Sequence, residues 1–193
     1  MRKKILTTAM RCFRRHGIKA VKMDDIANAL SISKRTLYEL YSNKEELLCE
    51  CVSFHESEME EKFRSRLKKD SNVMDILINF ISIQVENSSM TNPVFFTELQ
   101  KYPKVRVSIQ QRGEKRKSKS IGFLQRGVEE GYFRSDINYE IADLMVEVFM
   151  DYAMENELYR KYPLEELLRN VILLMLRGIC TPKGQKLIDE FKF

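Results

Sequence analysis

The stretch SISKRTLYELYSNKEEL, residues 31–47, gathers two Lys, one Arg, two Tyr and a Thr around two helix-start signals. Ammonium and guanidinium groups bind phosphate with a strong salt dependence, because each contact releases counterions from a polyanion. Arg can also address guanine bidentately, and Thr can touch the methyl group of thymine. A helix that only closes a core has no use for Lys34, Arg35, Thr36 and Tyr38 in its first turns. Leu37, with Leu40 or Tyr41, supplies the inner face. The candidate contacts to double-stranded DNA are therefore Ser33, Lys34, Arg35, Thr36 and Tyr38, joined by Lys22 and Lys44 on the flanking segments. Lys44 stands at a helix start, where an ammonium and unpaired backbone N–H groups can share one phosphate.

Charge distribution supports that chemistry. Residues 1–44 carry 11 Lys and Arg against three acids, a net +8, whereas the remainder of the 193-residue chain carries 22 against 25, a net −3. A basic head on a mildly acidic body points to a polyanion partner for the head, although solvated Lys/Arg faces are common. Enzyme chemistry finds little support. His16 and His55 have no Ser, Cys or Asp partner pattern, and there is no Gly-rich phosphate loop, HExxH or CxxC motif. Cys12, Cys49, Cys51 and Cys180 lack regular spacing and read as reduced thiols. Cys51 and His55 share a helix face, but two ligands are too few for a structural metal site. No catalytic site, metal or cofactor is expected. The longest apolar run, VILLML at 171–176, falls far short of the roughly 20 residues that span a bilayer. Arg11, Arg14 and Arg15 interrupt any signal-peptide core, so a cytoplasmic chain without membrane contact is expected.

Period-3.6 patterns dominate and the expected fold is all-α. Ile5, Leu6, Ala9, Met10 and Phe13 form the stripe of a first helix that Gly17 ends. MDDIANAL (23–30) makes a second, Ser31–Ser33 a tight turn, and Ser33 the cap of a third. Asn43 and Glu46 form a capping-box pair opening a long fourth helix to about Leu67. Beyond KKDSN (68–72) come an apolar helix from Val73, one opened by Asn92–Pro93, and a long one from about 104 to Gly131. Asn138 then caps a helix, and Pro163 opens a last one to about Ile179. The basic cluster at 112–119 reads as a solvated face, with a second nucleic-acid contact as the alternative. Three short helices with a tight turn between the second and third make a helix-turn-helix unit, whose second motif helix lies in the major groove.

The combined pattern ILTTAMRCFRRHGIKAVKMDDIANALSISKRTLYELYSNKEELL resembles the DNA-binding head of the TetR family of transcriptional regulators, along about residues 5–48. GVEEGYFRSDIN (127–138) looks like the turn before the dimerisation helices in many members, and LLMLRGICTP (173–182) like the end of the last one. Three positions depart from the pattern. Ser31 replaces the usual turn Gly and would carry modest strain in a left-handed conformation. Arg35 replaces a small residue, and Lys22 a hydroxyl that would cap the second helix. The resemblance implies an all-α chain of two parts: a helix-turn-helix head at 1–48, its motif at about 22–41, and a ligand-binding and dimerisation body at 69–193, joined by a connecting helix at 49–68. It implies a homodimer on a palindromic operator, released or retained by an unidentified small-molecule effector.

For the body, Phe80, Phe95, Phe96, Tyr102, Phe123, Met145, Phe149 and Tyr152 are candidate effector contacts, although aromatics at helical spacing more often fill cores. Leu144, Val148, Leu168, Val171, Ile172 and Met175 are candidates for the interface between copies. The function expected is that of a ligand-responsive repressor; a TetR-like activator and a helical protein-interaction adaptor are the alternatives. The adaptor leaves the +8 head without a purpose.

Overall fold

The computed structural model describes residues 1–191, the side chains of 114–121 excepted. Its helices are α1 (Arg2–His16), α2 (Met23–Leu30), α3 (Lys34–Leu40), α4 (Lys44–Arg66), α5 (Val73–Ser89), α6 (Val94–Leu99), α7 (Pro103–Glu129), α8 (Tyr139–Glu155), α9 (Leu164–Ile179) and α10 (Pro182–Glu190), with a 3-10 turn at Leu158–Arg160. The fold is all-α, an N-terminal helix-turn-helix head followed by a helical body. The only β pairing among the described residues is an isolated bridge between Phe133 and Cys180.

Two compact units form, one from Met1–Lys62 with Met90–Gly113, the other from Phe63–Ser89 with Glu114–Phe193. The sequence expectation kept 69–193 together, whereas here α6 and the start of α7 belong with the head. In the first unit the expected stripe of α1 is buried, and Phe13, Ile18, Ile26, Leu37, Leu47 and Leu48 lose essentially all solvent contact. Phe95, Leu99 and Val105 complete that core. The choice between Leu40 and Tyr41 is settled by packing, since Tyr41 is buried while Leu40 is exposed. Gly17 ends α1 at φ 84°, its N–H donating to the carbonyl of Phe13 at 2.9 Å.

Local capping chemistry sets several of the breaks. The Thr36 N–H donates to Ser33 Oγ at 3.0 Å and the Glu46 N–H to Asn43 Oδ1 at 2.9 Å. Glu46 closes its side of the box one residue early, on the backbone N–H and hydroxyl of Ser42. Asn138 caps α8 through the N–H groups of Glu140 and Ile141. Ser31 adopts the left-handed conformation at φ 55°, ψ 39°, as its place in the tight turn required.

The second unit is centred on Val73, Met74, Ile81, Phe133, Leu176, Ile179 and Ile188. The stretches 127–138 and 173–182, with 34 residues between them, meet there. Arg134 N–H donates to the Ile179 carbonyl and Thr181 N–H to the Tyr132 carbonyl, both at 2.9 Å. Gly127 permits the contact, because a Cβ there would fall 2.0 Å from the Phe133 ring. The chain continues past the expected end into α10, started by Thr181 and Pro182 and anchored by Ile188. Of the cluster at 112–119, the side chains beyond Arg112 and Gly113 are outside what the structure describes. Arg112 turns towards α4, with Nη1 donating to Ser53 Oγ at 2.6 Å and Nε 2.5 Å from Glu56 Oε2.

Candidate DNA-binding surface

The outer face of α3 follows from how its inner face is held. Leu37 and Tyr41 are buried four residues apart; Arg35 lies on the far side of the helix, while Lys34 and Tyr38 flank the buried seam and are exposed as well. Thr36 is half-buried, and its hydroxyl lies 2.8 Å from that of Ser33. Ser33 and Thr36 are thus tied together in the cap of α3. Lys34 Nζ sits 2.9 Å from Asp24 Oδ2 on α2, and its ammonium is raised above the ordinary Lys value by that hydrogen bond. Arg35 Nε sits 2.9 Å from Glu39 Oε1, one turn along the same helix. Lys22 is exposed at the start of α2, where its own N–H donates to Asp25 Oδ2 at 2.7 Å. That bond is the Asp25 half of a capping box; the Asp25 N–H, which a hydroxyl at position 22 would have accepted, turns instead to the Lys22 carbonyl at 3.1 Å.

Lys44 departs from the sequence reading. Its ammonium donates to the carbonyls of Ile18 (2.8 Å), Val21 (3.0 Å) and Lys19 (3.4 Å), so its three N–H donors fasten the α1–α2 turn instead of facing outward. Burial lowers its pKa below the ordinary Lys value, with Glu98 and Asp25 opposing. The same turn is held from α6. Lys19 N–H donates to Glu98 Oε2 at 2.8 Å, and a Cβ on Gly17 would come within 3.0 Å of that oxygen. Asn92 N–H donates to the Arg14 carbonyl at 2.7 Å, and Arg14 Nε to Thr91 Oγ1 at 2.9 Å. Sequence reasoning missed this grip, because its partners lie more than seventy residues apart.

The eight candidate effector contacts do not form one cluster. Phe95, Phe96 and Tyr102 pack in the core of the first unit, with Phe95 edge-on to Phe96 at 5.4 Å. Phe123 packs with Phe133 in the second. Phe80 is exposed and edge-on to Phe63, Met145 and Tyr152 are exposed, and Phe149 is half-buried. Of the candidates for an interface between copies, Leu144 and Val148 are exposed, while Leu168, Val171, Ile172 and Met175 are half-buried.

No group of three or more His, Cys, Asp and Glu side chains able to hold a metal occurs among the described residues, and no helix of theirs is long and apolar enough to cross a membrane. Burial pushes the Cys51 thiol strongly upward and the Cys180 thiol up to about 11, so neither is a thiolate nucleophile at neutral pH.

The comparisons with known proteins meet this geometry at the head. Residues 5–51 match the model of bacterial regulatory proteins, tetR family. The HTH-type transcriptional repressor KstR2 of Mycobacterium tuberculosis is 24% identical over 147 residues, 72% of each chain. The uncharacterized HTH-type transcriptional regulator YvaF of Bacillus subtilis is 32% identical over 103 residues, 53% of this chain and 54% of that one. The fold recurs in the fatty acid degradation regulator FadR from Bacillus halodurans (20% identity, 91% and 94% coverage, TM-score 0.67). It recurs also in a putative transcriptional regulator from Saccharomonospora viridis in complex with choline (19%, 93% and 97%, TM-score 0.74). An outward basic helix on a three-helix head, matched where the family is defined, leaves one assignment: residues 5–51 are a DNA-binding head of the tetR type, and the chain is a DNA-binding transcriptional regulator.

Proposed function

We propose that the protein is a homodimeric, ligand-responsive repressor that reads a palindromic operator through α3 and releases it when a small molecule binds the body. The observation that carries the DNA contact is the exposure of Lys34, Arg35 and Tyr38 on a helix that Leu37 and Tyr41 fasten to the head. Lys22 flanks them as a phosphate contact. Ser33 and Thr36 serve through the cap that orients the helix, and Lys44 acts by holding the α1–α2 turn rather than by touching phosphate.

Support for the dimer comes from α8 and α9. Ile141, Leu144, Met145, Val148 and Tyr152 recur at helical spacing along one face of α8 and are 54–68% exposed, and Leu174 on α9 is 75% exposed. A two-fold pairing of this face gives two heads and hence two half-sites. The repressor KstR2 supports the sign of regulation, and the choline complex shows that a protein of the same fold holds a small molecule. Two connections suit transmission. Helix α4 begins beside the α1–α2 turn, and α6 grips that turn through Glu98. An effector shifts the heads only by its differential affinity for the two arrangements. A hundredfold preference is worth about 2.7 kcal/mol.

The test is a gel shift on DNA upstream of the protein's own gene at several salt concentrations. Retardation that weakens steeply with salt is expected, and its absence at low salt overturns the reading.

A further inference from the structure

The head contains only three acids within its first 44 residues, Asp24, Asp25 and Glu39. Asp25 caps α2 through the Lys22 N–H. The other two each hold one of the two cations that open α3, at 2.9 Å in both cases. In a segment with 11 Lys and Arg, the negative charges are spent on the cations of the reading helix. We propose that Asp24 and Glu39 set specificity by standing in for DNA phosphate: they keep Lys34 and Arg35 occupied on non-operator DNA and yield them only where base contacts repay the exchange. This rests on the DNA-binding reading of α3.

The pairs have the strength such a role requires. All four side chains are exposed, so each pair is weak and open to displacement by a phosphate. A buried pair would lock the helix shut, whereas an exposed one shifts the exchange by a small factor that matters because non-specific sites are so numerous. Asp24 has the larger part. Its bond to Lys34 ties α2 to α3, and the Lys34 ammonium also lies 5.8 Å from the centre of the Tyr38 ring. Arg35 precedes Glu39 in the sequence, the less favoured order for an i,i+4 pair, so Glu39 contributes less.

Two effects of a carboxylate near DNA must be separated, since Asp24 also repels phosphate directly. A double-mutant cycle does this, because repulsion persists without Lys34 and competition for Lys34 does not. The full-length protein, Asp24→Asn, Lys34→Met and the double variant are titrated onto a random-sequence duplex and onto an operator duplex selected with the wild type. Circular dichroism melting confirms that all four are folded. Asp24→Asn is expected to tighten random-duplex binding by about two- to fivefold, to change operator binding less, and to give no gain in the Lys34→Met background. Glu39→Gln behaves likewise by a smaller factor. A gain that persists undiminished without Lys34, or no change on either duplex, overturns the proposal while the regulator stands. Wild-type protein that binds neither duplex overturns the DNA-binding reading, and the proposal with it.

Discussion

Helices α1 and α8 are both amphipathic, and they finish differently. α1 buries Ile5, Leu6, Ala9, Met10 and Phe13 within its own unit. α8 buries Ala153 and leaves Ile141, Leu144, Met145, Val148 and Tyr152 in water. The first apolar stripe finds its partners in the same chain, so what α1 leaves in water includes Arg2, Lys3, Lys4, Arg11 and Arg15. The second finds too few, so the surface left to the body is apolar. The two units thus leave different surfaces uncovered, and the proposed partners differ accordingly: a polyanion for one, a second copy for the other.

The contrast can be broken most forcefully at the finished core. Phe13→Ala removes a ring with no solvent exposure and is expected to destabilise the head-side unit by about 3–5 kcal/mol. Denaturant unfolding measures this, and a loss below about 1 kcal/mol would show a loosely packed head. The unfinished face answers differently. Val148→Asp puts a charge on the exposed stripe, costing a separate protomer little but a dimer on the order of 2–3 kcal/mol. Sedimentation equilibrium should show a shift towards monomer of about a hundredfold. A wild type that is already monomeric at micromolar concentration would end the comparison.

Lys44 sharpens the line between holding the fold and touching DNA. Lys44→Met removes three donors to backbone carbonyls and is expected to cost about 1–3 kcal/mol of stability, with the salt slope of DNA binding unchanged. Lys34→Ala is expected to do the reverse, lowering the slope by about 0.9 with little effect on melting. A reduced slope for Lys44→Met would return that ammonium to the phosphates. The smallest effect belongs to Glu130 in the body. Its carboxyl is held below the ordinary value by the Val73 N–H and then by Arg126. A depressed folded-state pKa stabilises above the unfolded value, about 4.3, and that stability is lost as pH falls through the folded value. Glu130→Gln should therefore lower stability by a few tenths of a kcal/mol at neutral pH, and the difference should vanish on acidification. A difference independent of pH would assign the loss to packing.

What was legible in the sequence is what neighbouring residues decide. Ser33, Asn43 and Asn138 cap the helices that their positions announce, and Gly17 ends α1. Ser31 takes the left-handed turn despite its Cβ. The contribution of Lys44 was not legible, because its acceptors belong to a turn more than twenty residues away and a lysine at a helix start looks the same either way. The aromatics at 95, 96 and 102 were hidden for a similar reason. Their spacing states that they are inward, not which core they enter. Helix α10 did carry a local signal, Thr181–Pro182 followed by Leu187 and Ile188, which the strong end signal at 173–182 masked.

The head-side unit is discontinuous, since Met90–Gly113 returns to pack with Met1–Lys62. Biosynthesis feels that order. A ribosome adding about 5–20 residues per second takes roughly 3–10 s to pass from residue 62 to residue 113. During that interval the reading helix exists without Phe95, Leu99 or the Glu98 grip on the α1–α2 turn. The nascent head is left with the incomplete core of a folding intermediate. It becomes a finished unit only after more than half of the polypeptide has been made.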